Sequence, residues 1–280
     1  MKIEQAFYRT ERIQRSITST LDISTLFMAR TNAPVESITT LLTVVEYLEQ
    51  AGEAGVTEIS DSVGVSKSTV HNHLTTLREK GYVVNQEGRY QLGLRFLRIG
   101  ETTRIRTGLY EIARPQVETL VEGMDLVGNL AVEEHGEGVY LYRSRGSDEI
   151  RFSTRAGERH ELHCTATGKS ILAHVSSDRV ERLLESLDMT RYTEQTITNK
   201  QDLLDELEQV RDRGVAFDEE EYGPGLRCVG VPIFGSEGEV IGAISLSGPA
   251  ADMRGDWYRE TLPDRLQSAK NRIELNLRDY

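Results

Sequence analysis

The stretch from Ser66 to Arg98, SKSTVHNHLTTLREKGYVVNQEGRYQLGLRFLR, constrains the fold of this 280-residue chain more than any other. Val70, Leu74 and Leu77 recur at i, i+4 and i+7, the apolar stripe of a short helix, and Ser66 stands where an N-cap belongs. Tyr82-Val83-Val84 and Arg89-Tyr90-Gln91-Leu92 then flank the turn Asn85-Gln86-Glu87-Gly88, in which Gly88 permits the positive φ of a short hairpin. Upstream, Ile38, Leu41, Leu42, Val45 and Leu48 fall at helical spacing, and Gly52 and Gly55 stop that helix. A second helix is expected from Thr57, with the Thr57 hydroxyl as its cap, Glu58 in its first turn, Ile59 and Val63 pointing inward and Gly64 at its exit. Three helices followed by a two-stranded wing make a winged helix-turn-helix.

Charge sets the same stretch apart. Between Val65 and Arg98, Lys67, Arg78, Lys80, Arg89, Arg95 and Arg98 oppose only Glu79 and Glu87, whereas Val35 to Gly64 holds acidic residues and no Lys or Arg. A local positive stripe on a helix and wing is the electrostatic footprint of a duplex-DNA reader. On the face opposite the apolar stripe lie Ser68, Asn72 and Thr75, flanked by Thr69 and His71. Their short polar side chains suit base edges in a major groove. Ser66 and Lys67 at the helix start and Arg89 in the wing are placed for the phosphate backbone or minor groove. The same helix-and-hairpin unit also occurs in protein-interaction domains; the charge contrast argues against that use here.

The chain as a whole is acidic, with net charge −12. Such a surface suits solubility in high salt, as in a halophilic host, and limits non-specific DNA affinity. Cys164 and Cys228 are too few and too isolated for a zinc cluster or a disulfide scaffold. No cofactor is expected. No apolar run approaches a membrane span and no secretory core is present, so a cytoplasmic protein is expected. Residues 1–33 read as an extension without a core pattern, in which Met28 is an alternative start. Residues 34–93 read as the winged helix, 94–108 as a linker helix with Leu94, Leu97 and Ile99 near one side, and 109–280 as a second domain.

That second domain alternates helical and strand patterns. Helices are expected over Tyr110–Met124 (through or restarting at Pro115), Lys169–Val175, Asp178–Leu187, Asp202–Arg213 and Trp257–Leu277. Strands are expected over Gly128–Val132, Val139–Arg143, Ile150–Thr154, Arg227–Phe234 and Val240–Ser247. The tight Ser236-Glu237-Gly238 connection implies an antiparallel pair. The fold class is therefore α/β (α+β), with a mostly antiparallel sheet in the larger domain. Leu162-His163-Cys164-Thr165-Ala166-Thr167-Gly168-Lys169 sets small residues before a helix, where free backbone N–H groups favour an anion, although a plain capped helix has the same pattern. The run Asp218-Glu219-Glu220-Glu221 reads as a solvated face, with only Asp218 singled out.

From about Pro34 onward the chain resembles the IclR family of transcriptional regulators. The resemblance rests on SKSTVHNHLTTLREKGYV with the wing ending RYQLGLRFLRIG, then LHCTATGKSILAH, then RDRGVAFDEEEYGPGLRCVGVPIF, and finally GAISLSGP, in that order. It implies a GAF-like effector-binding domain behind the winged helix, dimers that often pair into tetramers, and a near-palindromic duplex operator. The family's small-acid pocket would fall on Ala166, Thr167, Asp218, Cys228, Ser245 and Ser247, with Leu162 lining an apolar wall. Thr167 departs from the Ala that small-acid binders tend to carry, so a sugar-derived or aromatic acid remains open alongside a short one. Two other classes stand against this reading: a cysteine-dependent enzyme and a ligand-independent architectural DNA binder. His163 and Cys164 are adjacent and point apart on a strand, so they cannot form a nucleophilic pair. An architectural binder needs no second domain of this size and tends to be basic.

Overall fold

The computed structural model describes residues 35–106, 108–146 and 155–278. They divide into two compact units, with the division between Thr103 and Arg104. The extension over residues 1–33 and the expected strand at Ile150–Thr154 lie outside the described residues.

The first unit runs α1 (Glu36–Ala51), β1 (Glu53–Ala54), α2 (Val56–Val63), α3 (Lys67–Glu79), β2 (Val83–Gln86) and β3 (Arg89–Leu92), and α4 (Arg95–Ile105) follows. Val44 and Leu48 of α1, Ile59 of α2, Val70, Leu74 and Leu77 of α3, and Val83 and Tyr90 of the wing form one core. Two expectations for this unit need correction. The buried face of α1 centres on Val44 and Leu48, with Leu41 and Val45 beside them, while Ile38 and Leu42 are more than half exposed. At 100° per residue Leu42 sits about 160° from Val44, so a list of apolar positions in register still spanned two faces. The N-cap of α2 is Gly55, whose N–H donates to the carboxylate of Glu58 at 2.8 Å; Thr57 is already inside the helix.

The wing is tighter and wider than a plain hairpin. Gln86 pairs with Arg89, leaving Glu87 (φ 51°) and Gly88 (φ 88°) as a two-residue turn with both φ values positive, the type I′ pattern. The short β1 adds a third strand against β3, pairing Glu53 with Gln91 and Ala54 with Tyr90. A two-residue strand carries no periodicity, and nothing in the sequence marks it.

The second unit comprises α5 (Leu109–Val121), β4 (Val127–Glu134), β5 (Glu137–Arg145), β6 (Arg159–His160), α6 (Ala166–Leu172), α7 (Ser177–Ser186), α8 (Lys200–Arg213), β7 (Ala216–Glu219), β8 (Leu226–Phe234), β9 (Val240–Pro249), a π turn (Trp257–Thr261) and α9 (Leu262–Arg278). Its strands form one antiparallel sheet in the order β6-β5-β4-β9-β8-β7. On one face Leu130, Val229, Val231, Ile244 and Leu246 pack against Val117 of α5 and Leu266 and Ile273 of α9. α5 runs unbroken through Pro115, and α6 begins three residues earlier than expected because Thr165 caps it. A second apolar cluster, including Leu162, Leu172, Leu203, Leu207 and Val210, lies among α6, α7 and α8.

Candidate functional site

The reading surface of the first unit is built on α3. With Val70 and Leu74 fully buried, the helical repeat leaves Lys67, Ser68, His71 and Asn72 exposed and Thr69 and Thr75 half-buried. Ser66 caps the helix as expected: its hydroxyl accepts from the Thr69 N–H at 3.1 Å and bonds the Ser68 and Thr69 hydroxyls at 2.8 and 2.9 Å. Asn72 and His71 are left to face outward. Arg89 is not a free cation. Its Nε donates to Glu53 Oε1 at 2.7 Å, its Nη1 to Glu58 Oε1 at 3.3 Å and its Nη2 to the Glu53 carbonyl at 3.1 Å. The Gly55 N–H and then Arg89 hold the Glu58 carboxyl below its usual range. These pairs are exposed and therefore weak.

The second unit assembles a buried polar basin on the sheet face away from α5 and α9. Strand pairing sets Asp218, Cys228 and Ser247 side by side across β7, β8 and β9, and sets Ser245 beside Asn129 and Asn129 beside Arg143 across β9, β4 and β5. Asn129 Nδ2 donates to both Ser245 Oγ (2.9 Å) and Ser247 Oγ (3.0 Å), and Asn129 Oδ1 accepts from Arg143 Nε at 2.7 Å. A register shift at Leu130/Ala131 lets Tyr140 and Arg143, three apart, sit opposite Ala131 and Asn129 on one face. The Arg143 guanidinium lies 4.5 Å over the Tyr140 ring, and Tyr140 stacks on His160 at 4.1 Å. The His160 ring fills the place where any side chain on Gly138 would stand, and its Nε2 bonds the Thr167 hydroxyl at 3.0 Å. Ala166 rests on Gly230, beside Ser245.

Expected pocket residues thus fall into two groups. Thr167, Asp218, Cys228, Ser245, Ser247 and the Ala166 backbone converge on the basin. Leu162 is packed within the second apolar cluster. The start of α6 is partly self-satisfied, since Thr165 Oγ1 accepts from the Gly168 N–H at 3.2 Å. The acidic run is also not wholly a solvated face: Glu221 is buried, and its carboxylate meets the buried Lys169 ammonium. Lys169 lies 3.5 Å from Glu206, which Arg213 holds at 2.7 Å. Asn129, Tyr140, Arg143, His160, Lys169 and Glu221 escaped sequence reasoning. Only Asn129, a polar residue inside the apolar run of β4, left a trace that could have been followed.

Burial dominates the electrostatics. It raises the Asp218 carboxyl to about 6 against the opposing pull of Lys169 and the Glu221 and Tyr222 N–H groups, and raises Glu221 to about 7. Burial, then the Arg143 charge, lowers His160 to about 3, so its ring is neutral. Burial also pushes both cysteine thiols up, that of Cys228 further against Asp218. Neither cysteine is a ready thiolate. Among the described residues no group of three or more His, Cys, Asp or Glu could hold a metal ion, and no helix is long and apolar enough to cross a membrane.

A capped helix presenting polar side chains beside a wing, coupled in one chain to a unit with a buried polar basin, defines a ligand-responsive DNA-binding regulator. Residues 37–87 match the IclR helix-turn-helix domain and residues 103–274 match the bacterial transcriptional regulator IclR C-terminal model. The chain belongs to the IclR family of transcriptional regulators, and it is a regulator rather than an enzyme. It is 35% identical to the HTH-type transcriptional regulator KdgR of Escherichia coli, over 88% of this chain and 95% of that one. It is 31% identical to the probable HTH-type transcriptional regulator ArcR of Halobacterium salinarum, over 89% of this chain and 97% of that one. The solved IclR structure of Thermotoga maritima superposes with a TM-score of 0.73 at 30% identity, covering 86% of this chain and 97% of that one.

Proposed function

We propose that residues 34–93 read a near-palindromic duplex operator as part of a homodimer or a dimer of dimers. Residues 94–108 act as the linker, and residues 109–280 bind a small carboxylate that controls operator occupancy. The carrying observation is the outward polar face of α3, with Ser68, His71 and Asn72 exposed opposite the buried Val70 and Leu74. Asn72, His71, Ser68, Thr69 and Thr75 read base edges, while Ser66, Lys67 and Arg89 contact the backbone. Exposed Ile38 and Leu42 on α1 and Leu94, Leu97 and Ile99 on α4 supply the apolar surface that a second copy covers. The two heads then meet half-sites about one helical turn apart. Such a protein works in the cytoplasm.

In the second unit Ala166, Thr167, Asp218, Cys228, Ser245 and Ser247 form the effector pocket, and Leu162 supplies the apolar packing beneath it. Support comes from their convergence on one sheet face and from the fully buried Asp218 Oδ2, which has no partner beyond the adjacent Cys228 thiol. A bound effector shifts the operator-competent arrangement by a coupling of about 1–3 kcal/mol. Genome-wide pull-down of DNA with the tagged chain tests the first half: sharp peaks sharing an inverted repeat are expected, and diffuse enrichment would refute it. For the second half, Asp218→Ala and Ser245→Ala are expected to abolish effector-driven release from those peaks. An undiminished response in both would refute the pocket.

A further inference from the structure

The basin contains a cation and an acceptor, far apart on the sheet, that the protein itself does not use up. Arg143 gives its Nε to Asn129 and its face to Tyr140, but its buried Nη1 has no hydrogen-bond partner. Among the described residues no carboxylate forms an ion pair with it, whereas the buried Lys169 nearby is held by Glu221 and Glu206. Asn129 cannot take a ligand anion in its place, because both its amide atoms are spent on Arg143 and the two serines. Four strand steps away on β7, Asp218 Oδ1 accepts from the Glu221 and Tyr222 N–H groups, while its buried Oδ2 has no partner beyond the weak donor of the adjacent Cys228 thiol. On β6, beside the strand that carries Arg143, His160 also holds a buried Nδ1 with no partner. A buried polar atom left unpaired costs free energy until a ligand satisfies it.

We propose that Arg143 anchors the carboxylate of the effector and that Asp218 receives a hydroxyl at its far end, so the pocket selects a hydroxylated monocarboxylate of four or more carbons. The proposal rests on the pocket reading above and adds to it the anchor, the ligand's direction and its charge. Four strand steps correspond to about 19 Å between the backbones of β5 and β7. The Arg143 side chain, which reaches to Asn129 on the next strand, closes part of that span, and a two-carbon acid is too short to meet both side chains. The Arg143 guanidinium lies over the Tyr140 ring and beside Asn129 on the basin's face of the sheet, with its Nη1 buried. A dicarboxylate would set its second charge against Asp218 and Glu221 and be rejected by like-charge repulsion. A neutral polyol would leave the Arg143 Nη1 unpaired.

The test uses the full chain and C4–C6 hydroxy monocarboxylates headed by D-gluconate, each beside its dicarboxylate (D-glucarate) and its polyol (D-glucitol), with pyruvate as the short acid. Binding is read by calorimetry. At least one monocarboxylate should bind at least roughly tenfold tighter than its dicarboxylate, its polyol and pyruvate. Arg143→Gln should weaken that acid roughly 10- to 100-fold, the worth of a charged hydrogen bond, and erase its advantage over the polyol. Arg143→Lys, which keeps the charge, should recover part of it, a rescue that a purely structural role for Arg143 would not give. Asp218→Asn should narrow the gap between monocarboxylate and dicarboxylate. Acid binding untouched by Arg143→Gln but lost in Ser247→Ala would overturn the anchor and keep the pocket. No binding by any monocarboxylate, or binding indifferent to Arg143→Gln, Asp218→Asn and Ser247→Ala alike, would overturn both.

Discussion

The two units handle charge in opposite ways. In the winged-helix unit the ions stand at the surface: Arg89, Glu53 and Glu58 are all about half exposed and pair across the wing. In the effector unit the ions are buried: Lys169, Asp218 and Glu221 are each less than a tenth exposed and lean on one another. Surface pairs contribute little to stability and exchange partners freely, which fits the exchange of a carboxylate for a phosphate proposed for Arg89. Buried ions owe their state to one another, so a ligand that enters among them changes the balance of the whole set.

Breaking the buried set should show the largest effect. Lys169→Met leaves Glu221 without its ammonium and should cost about 3–5 kcal/mol, whereas Lys169→Met with Glu221→Met should recover much of it. Trp257, the chain's single tryptophan, lies in the effector unit and reports its denaturant unfolding selectively. Equal losses in the single and double variants would erase the contrast between the units.

Next in size is a pH dependence. Asp218 is raised from 3.8 to about 6, so the folded state binds its proton more tightly than the unfolded state does. Its contribution is therefore most favourable below about pH 4 and is lost as pH rises through 6. Asp218→Asn removes that titration and keeps an Oδ1 acceptor for the Glu221 N–H. The variant should gain on the wild type by about 2–3 kcal/mol between pH 4 and 7.5. The buried neutral histidines work in the opposite direction in both proteins and cancel in the difference. A difference flat across that range would contradict the assignment.

Smaller effects belong to the head. Ser66→Ala removes the cap of α3 and should cost about 1 kcal/mol in thermal unfolding of the winged-helix unit. Arg89→Ala should cost under about 1 kcal/mol in stability, yet lower the salt slope of DNA binding by about 1 if Arg89 exchanges Glu53 and Glu58 for a phosphate. An unchanged slope would make Arg89 a strut of the wing only.

What could be read beforehand follows the same division. α3 was legible because its stripe, its Ser66 cap and its outward polar face are all local, set by the helical repeat. The long strands β8 and β9 were legible from continuous apolar runs. β1 was not, because it exists only through pairing with β3, and the cap of α2 was misplaced because Glu58 reaches back across a turn to Gly55. The polar residues of the basin were half legible: Asp218, Ser245 and Ser247 came through the family resemblance. Asn129, Arg143 and His160 come from three other strands and meet only after the sheet forms, with a bulge turning Tyr140 and Arg143 to the same side. Glu221 looked like one more surface acid until Lys169, far away in sequence, was found against it.

The most direct test is a titration of wild type and Asn72→Ala on a duplex recovered by pull-down and on a scrambled duplex, at one fixed salt concentration. Asn72 as a base reader predicts a loss of about 1–3 kcal/mol on the recovered duplex and none on the scrambled one. Equal loss on both would mean that the polar face of α3 does not read sequence, and would contradict the account.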